Sequence, residues 1–251
     1  MQQLSLLSGK TKAEIAIDFI REHEPPDGWA VGISFGKDST VLYDLVKKSD
    51  TQHQFYYSVT GIDPPEIMQF GKKHFPDVIW KRPKRSFYKE IWFHGFPHRV
   101  SKWCCNTLKK QPVKGISDNW LMGIRAEESW KRASRDNPDF YKGQWRYKPL
   151  FDWLEWEIWE YIESNGLPYC SLYDEGFSRI GCVPCVSLCH GIRGDLKRNM
   201  DRWPGYFKAL EHAMASLFHN HLCVINPRSG AYNYRRETDF ETFINNWYRG
   251  K

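Results

Sequence analysis

The sequence predicts an α/β protein in which a parallel sheet is covered by helices on both faces, followed by a loop-rich region that carries cysteines. Short runs rich in Val, Ile, Trp, Phe and Tyr alternate with segments of helical apolar spacing, the pattern of strands joined by crossover helices. Turn residues punctuate the junctions, as in "EPPDG" and "TGIDPPE". From about Pro168 the alternation gives way to a loop-rich pattern with a cysteine cluster and a basic, aromatic tail.

The elements follow in order. Residues 10–23 read as an amphipathic helix that ends at "EPPDG". "WAVGIS" is a buried strand, "SFGKDS" (Ser34–Ser39) a short loop, and Ser39 to about Lys48 a helix capped by Ser39 or Thr40. "QFYYSV" is a second strand running into "TGIDPPEI", where paired prolines stop it before another helix. "DVIWKRP" supplies a third strand and "NWLMGIRAEES" holds a fourth. In "FDWLEWEIWEYI" aromatic and aliphatic residues recur at helical spacing, which points to core packing. The expected organisation is an N-terminal helix within 1–26, a nucleotide-binding domain over 27–190 and a C-terminal region over 191–251. In a parallel sheet ligands gather beyond the carboxyl ends of the strands, so the loops "SFGKDS", "TGIDPPE" and "GIRAEES" are expected on one edge.

The composition, 41% hydrophobic and 26% charged, is that of a folded globular chain. No apolar run approaches the roughly 20 residues that span a bilayer, and the N-terminus lacks the basic-then-apolar order of a secretory signal. A cytoplasmic location with no membrane partner is the expectation. The formal charge of +6, with basic clusters at Lys81–Arg85, Lys109–Lys114 and Arg193–Arg202, suits nucleotides, pyrophosphate or nucleic acid as well as a solvated surface. The seven cysteines come without a secretory signal, so a disulfide framework is not expected.

A strand that feeds a short loop and then a helix aims backbone N–H groups at whatever lies before the helix, which favours an anion. Gly36 permits close approach, Lys37 adds charge, and Ser34 and Ser39 offer hydroxyls. Asp38 is out of place beside phosphate unless it orients a donor or a metal ion. Read alone, the stretch is equally a capped strand–helix turn. Asp63 and Glu66 follow the second strand, where a nucleotide or a magnesium ion would sit, or where they serve as a turn aspartate and a helix N-terminal glutamate. Arg125 suits phosphate through its planar fork of donors, or pairs with a neighbouring Glu.

Cys104 and Cys105 are adjacent, and Cys182 and Cys185 form a C-x-x-C. Four thiolates suit zinc or an iron–sulfur cluster. Adjacent cysteines wrap one small tetrahedral ion poorly but can ligate two irons of a cube. Cys189 is a spare ligand or a sulfur carrier, whereas Cys170 and Cys223 read as structural. The histidines form no metal-like spacing, and His219 and His221 are assigned surface or packing roles.

"SFGKDS" resembles the S-G-G-x-D-S loop of the ATP-pyrophosphatase (PP-loop) superfamily. "TGIDPPEI", "CCNTLKKQPV", "GIRAEESWKR" and "KPLFDWLEWEIWEYIESNGLPYCSLYDEGFSRIGCVPC" resemble, in the same order, segments of its phosphoadenosine phosphosulfate (PAPS) reductase branch. The resemblance runs from about residue 29 to residue 190. It implies a Rossmann-like, adenine nucleotide alpha-hydrolase type of fold. It also implies nucleotide contacts from Ser34, Phe35, Gly36, Lys37, Asp38, Ser39, Thr60, Gly61, Asp63, Glu66, Gly123, Arg125, Glu128, Arg132 and Arg179. Lys109 would link cluster and substrate, and Lys37, Asp38 and Lys109 are the catalytic candidates. The C-C…C-x-x-C arrangement is similar to the [4Fe–4S] pattern of iron–sulfur adenylyl-sulfate reductases and of the ATP-pyrophosphatase subunit of DNA phosphorothioation systems, with Cys104, Cys105, Cys182 and Cys185 as ligands.

Three functions are weighed from the resemblance. The first is an ATP pyrophosphatase that adenylates an acceptor, DNA or RNA among the candidates, and supports sulfur transfer from a cysteine desulfurase or another donor. The second is a reductase of adenylyl sulfate or PAPS linked to thioredoxin, and a non-catalytic nucleotide-binding subunit is a third. Phe35 matches the "SFG" of some reductases, whereas Lys37-Asp38-Ser39 matches the ATP users. The reductases' C-terminal Glu-Cys-Gly-Leu-His segment has no counterpart in this sequence, which favours the first reading. Arg193, Lys197, Arg198, Arg202, Trp203, Tyr206, Tyr232, Tyr234, Arg235 and Arg236 form a candidate nucleic-acid surface.

Overall fold

A computed structural model describes residues 9–97, 102–185, 195–219 and 239–249 of the chain. The described chain forms two compact units, each built from separate stretches of sequence. The first contains the chain up to Tyr57, Pro65–Lys81 and Val113–Ile180. The second contains Ser58–Pro64, Arg82–Pro112 and the chain from Gly181 on. The N-terminal helix is therefore part of the first unit, and the helices after residue 194 share a unit with segments from the middle of the chain. No described helix is long and apolar enough to cross a membrane.

The first unit is organised by a six-stranded sheet. Its strands are β1 (Trp29–Gly32), β2 (His53–Ser58), β3 (Ile79–Lys81), β4 (Asn119–Met122), β5 (Asp139–Tyr141) and β6 (Gln144–Tyr147). The order is β3-β2-β1-β4-β6-β5. β1 pairs in parallel with β2 and β4, and β4 with β6, while β5 closes the edge as an antiparallel hairpin with β6. This is the expected mostly parallel α/β architecture. The order reverses direction on either side of β1, so the loop after β1 lies at the switch point where open α/β sheets bind ligands.

The helices of this unit start where the sequence chemistry allows. Helix α1 (Lys12–Glu22) begins with a capping box in which Thr11 and Glu14 satisfy each other's backbone N–H groups. Helix α2 (Lys37–Ser49) begins two residues earlier than the spacing suggested, and its N-cap is Gly36, with no side-chain cap. Ser39 instead lies inside the first turn, where its hydroxyl donates to the Gly36 carbonyl at 3.0 Å and accepts the Ser34 N–H at 3.2 Å. Helix α3 (Pro65–His74) opens on the second of the paired prolines, a position where a missing N–H costs nothing. The candidate helix in "FDWLEWEIWEYI" is realised as Glu155–Ser164. It buries Ile158, Tyr161 and Ile162 but leaves Trp156 half in water.

Phe35 is the unusual residue of this unit. It is fully buried yet takes φ +59°, the left-handed region that side chains with a β-carbon avoid. Its ring packs against Tyr57, Phe75 and Trp80, with centroids 4.5, 5.2 and 5.3 Å away. The left-handed conformation costs about 1–2 kcal/mol, while full burial of a phenylalanine contributes about 1.5–3 kcal/mol. Packing therefore outweighs the strain. It also requires Gly71 in α3, because a β-carbon there would stand 2.5 Å from the Phe35 ring.

The second unit has its own apolar core. It joins Ile62, Phe87 and Ile91 of helix α4 (Phe87–His94), and Trp103 and Leu108, to Leu210, Met214, Leu217, Phe243, Ile244 and Trp247. The last six lie on two C-terminal helices, Pro204–His219 and Phe240–Arg249. A shorter helix, Asp195–Arg202, precedes them. Residues 105–110 form a π-helix, a form that is rare and concentrated at functional sites.

Gly71→Ala is expected to destabilise the protein by about 1–2 kcal/mol in urea unfolding, because overpacking against a buried ring outweighs the roughly 1 kcal/mol that alanine adds to a helix. A stabilised variant would show that the Phe35 ring is free to move.

Candidate functional site

The loop after β1 is built by the left-handed turn at Phe35, which sends the chain directly into the first turn of α2. Lys37 is only 5% exposed although it carries a charge. Its Nζ donates to the Ser178 carbonyl at 3.1 Å, lies 3.2 Å from a Glu155 carboxylate oxygen and is 4.0 Å from Asp38. Its backbone N–H, the first of α2, donates to the Tyr173 hydroxyl at 2.9 Å. Burial raises the pKa of Tyr173, so its hydroxyl keeps its proton. Tyr173, Glu155 and Ser178 were not candidates from the sequence: they lie in the segment from Lys148 to Cys185, but nothing local marks a residue there as a partner of Lys37, more than 100 residues away.

Asp38 has a partner of its own. Arg125, 3% exposed, donates from Nε to Asp38 Oδ1 at 2.5 Å, and its Nη1 pairs with Glu127 and donates to the Trp153 carbonyl at 3.4 Å. Burial works against the guanidinium charge, but Asp38 and Glu127 outweigh it and raise its pKa further. Glu128 accepts the Arg125 backbone N–H at 3.2 Å and pairs with Arg132. Gly123, at the end of β4, lets this loop reach α2: a β-carbon there would lie 3.2 Å from the Asp38 carbonyl oxygen. In the first unit the structure thus gathers Lys37, Asp38, Ser39, Gly123, Arg125, Glu128 and Arg132. Ser34 and Arg179 are exposed, and Glu66 sits half-buried in the first turn of α3.

A second cluster stands in the second unit. Thr60 and Asp63 form a tight turn in which Asp63 Oδ2 accepts the Thr60 N–H at 2.9 Å and Thr60 Oγ1 accepts the Ile62 N–H at 3.2 Å, while Gly61 is exposed. The Cys182 thiol lies 3.8 Å from both Thr60 Oγ1 and Asp63 Oδ1. The neighbouring Val183 N–H donates to the Ile62 carbonyl at 2.8 Å. The π-helix is tied to the same turn by Ser58, whose hydroxyl donates to the Lys109 carbonyl at 2.8 Å. Cys104, Cys105, Cys182 and Cys185 are close enough to act on one another electrically, and Lys109 lies among them.

These charges set the thiol chemistry. The hydrogen bond with Cys104 lowers the pKa of Cys105 to about 6, helped by Lys109, Lys102 and Lys110, while the Cys104 thiol is pushed up. Burial raises Cys182 to about 11 against the pull of Lys109. Negative charge on Cys182 raises the pKa of Lys109, which Asp63, Cys105 and Cys185 reinforce. Among the described residues no three His, Cys, Asp or Glu side chains converge as ligands of a single metal ion. The donor set, four thiols with one lysine to balance their charge, matches the needs of a multi-iron cluster held by thiolates.

Other candidates are placed differently. Cys170 is buried, in keeping with a structural role, and burial raises its pKa. Trp203 packs into the interior, and Tyr206 donates its hydroxyl to the Asp63 carbonyl at 2.9 Å, so these two serve the core and not a nucleic-acid surface. Lys197 is exposed and pairs with Asp201, and Arg202 lies over the Trp203 ring. Cys189, Cys223, His221, Arg193, Tyr232, Tyr234, Arg235 and Arg236 lie outside the described residues.

Over residues 28–188 the chain matches the family described as the phosphoadenosine phosphosulfate reductase domain. The adenosine 5′-phosphosulfate reductase of Oceanobacillus iheyensis is 30% identical over 187 residues, covering 68% of this chain and 75% of that protein. Adenosine 5′-phosphosulfate reductase 1 of Bacillus subtilis is 30% identical over 190 residues, covering 70% of this chain and 79% of the relative. Among solved structures, the phosphoadenylyl-sulfate reductase of Candida auris in its phosphate complex is similar in fold. It has a TM-score of 0.51 and 19% identity, and the match covers 66% of this chain and 87% of that one.

Two outcomes test this geometry. Replacing Arg125 with Met leaves Asp38 and Glu127 facing each other, and should cost about 2–3 kcal/mol in chemical unfolding, below the cost at a fully buried pair because both carboxylates keep some water. In the metal-free protein, alkylation of Cys105 by iodoacetamide should rise as pH passes about 6, because the thiolate is the nucleophile. Mass spectrometry of the labelled peptide follows it, and Lys109→Met should move the midpoint upward. A midpoint near the ordinary thiol value of about 8.5 in the unaltered protein would contradict the arrangement.

Proposed function

The chain belongs to the phosphoadenosine phosphosulfate reductase family, and from that premise we propose that it is an iron–sulfur enzyme that splits ATP at the α-phosphate to activate an acceptor for sulfur transfer. The observation that carries the ATP reading is Asp38, held by Arg125 in the first turn of α2 next to Lys37. Asp38 orients the Arg125 guanidinium through one carboxylate oxygen, and its other oxygen, 4.0 Å from Lys37, would meet a divalent cation that comes with the phosphates, as magnesium does with ATP. Lys37 and the N–H groups at the start of α2 would face the β- and γ-phosphates, with Asp38 turned to their magnesium.

In the proposed reaction an acceptor oxygen attacks the α-phosphorus. The bond to the β-phosphate breaks, and pyrophosphate leaves with the electron pair. A sulfur nucleophile then displaces AMP together with the acceptor's oxygen. Lys37 neutralises charge on the departing pyrophosphate, and Arg125 fixes the carboxylate of Asp38. Cys104, Cys105, Cys182 and Cys185 would hold a [4Fe–4S] cluster, which when bound supplies a thiophilic surface for sulfur. Lys109 balances the thiolate charge beside Asp63. DNA is the acceptor favoured by the resemblance to phosphorothioation proteins, with a cysteine desulfurase as sulfur source and an external dithiol as the two-electron reductant that cleaves its persulfide S–S bond. The names of the 30% identical relatives favour a second reading, reductive cleavage of adenosine 5′-phosphosulfate to sulfite and AMP.

Anaerobically purified protein assayed with MgATP plus oligonucleotide, and separately with adenosine 5′-phosphosulfate or PAPS plus thioredoxin, separates the two. Pyrophosphate release without sulfite is expected, with iron and acid-labile sulfide in the protein and about 100-fold lower kcat/KM in Lys37→Met. Sulfite formation without pyrophosphate would replace the first reading by the second. A protein holding zinc and no labile sulfide would remove the cluster.

A further inference from the structure

Tyr173 lies in the long segment from Lys148 to Cys185 but is not among the residues that the resemblance marks for nucleotide contact, yet it touches the loop at its most polar point. Its hydroxyl accepts the Lys37 N–H at 2.9 Å, the first backbone donor of a 13-residue helix. That N–H carries the positive end of the helix dipole, so it polarises the phenol oxygen and makes the phenol proton a better donor. Among the described residues this proton has no acceptor, while the ammonium of Lys37 lies 5.5 Å from the centre of the same ring. The ring is held from the side by Trp159, edge to face at 5.0 Å, and Trp159 is in turn braced by Tyr169 at 5.4 Å. The phenol is thus set at the helix N-terminus with the Lys37 ammonium near its ring and the carboxylates of Asp38 and Glu155 also acting on it, its hydrogen bond half used.

We propose that Tyr173 is a phosphate-binding residue of the loop site: its hydroxyl passes the Lys37 N–H onward, accepting from the helix and donating to an oxygen of the bound polyphosphate. The proposal rests on the reading of Ser34–Ser39 as a phosphate loop and adds to it a residue 136 positions away in the sequence. An anion entering this position keeps the helix donor engaged through the tyrosine, so no backbone hydrogen bond has to break before the ligand binds. The carbonyl of Ser178 and the carboxylate of Glu155 hold the Lys37 ammonium at 3.1 and 3.2 Å until a phosphate competes for it. Glu155 is half exposed, so the exchange is cheap.

The test is titration calorimetry of the full-length protein with magnesium pyrophosphate, MgATP and adenosine, comparing the unaltered chain with Tyr173→Phe and Tyr173→His. Losing one hydrogen bond to a charged group should weaken pyrophosphate and ATP by about 10- to 100-fold and leave adenosine unchanged. The melting temperature should stay within a few degrees. Histidine, which keeps a ring N–H donor, should recover part of the loss. Equal or tighter pyrophosphate binding by Tyr173→Phe overturns the proposal and makes the hydroxyl a plug instead of a ligand. If Tyr173→Phe does not fold, pyrophosphate binding by Tyr173→His as weak as that of Tyr173→Ala also overturns it. An unaltered chain that binds adenosine 5′-phosphosulfate but neither pyrophosphate nor ATP overturns the ATP reading and this one together. Binding of ATP by the unaltered chain with no effect of Tyr173→Phe overturns only the role of the tyrosine.

Discussion

Phe35 leaves β1 with a left-handed backbone, and the direction of everything after it depends on that turn. A glycine would adopt the conformation freely and would let the loop move. A phenylalanine adopts it only while its ring stays packed among Tyr57, Phe75 and Trp80 and over the bare face of Gly71. The ring therefore couples the loop to β2, α3 and β3. Gly36 then caps α2 without a side chain, leaving the approach to the helix N-terminus open to other groups. What Tyr173 and Arg125 reach is a stiff platform.

Charge is compensated twice, in the same manner, in the two units. In the first, Lys37 and Arg125 are almost fully buried and are matched by Asp38, Glu127, Glu155 and the carbonyls of Ser178 and Trp153. A buried cation left unmatched would cost several kcal/mol, so each basic group has an acidic or carbonyl partner before any ligand arrives. In the second unit, Lys109 stands among four thiols and Asp63 and holds the group as a mixed-charge cluster. The two clusters differ in what they can take up. The first is built from N–H donors, an ammonium and a guanidinium, the chemistry that suits an anion, and the second from thiols, the chemistry that suits soft metal ions.

Much of the site was legible because its chemistry is local. Lys37, Asp38 and Ser39 stand next to one another at the start of α2, and Cys182 and Cys185 have two residues between them. The α/β alternation was equally legible, since parallel strands are short apolar runs between helices. The C-terminal helices were not legible: the cysteines and the basic, aromatic residues after Pro168 gave a loop-rich pattern, although Phe240, Phe243, Ile244 and Trp247 follow helical spacing. Their basic and aromatic content drew attention to surface roles, whereas Trp203 and Tyr206 turned out to serve the interior.

By itself the sequence determined the class of fold, the family and the residue types that could hold phosphate and thiol-bound metal, because these are properties of short contiguous segments. Only the tertiary structure decided how those residues are used. It showed that Asp38 is tied to Arg125 and that the Lys37 N–H is met by Tyr173. It also separated the candidates, placing Thr60 and Asp63 with the cysteines and Lys109, and Lys37 and Arg125 with the sheet. The physical reason is range. Helical and strand periodicity is written within about ten residues of chain, while a hydrogen bond to a buried charge is chosen by whatever the folded chain brings within 3 Å of it. In this protein that partner comes from more than 80 residues away.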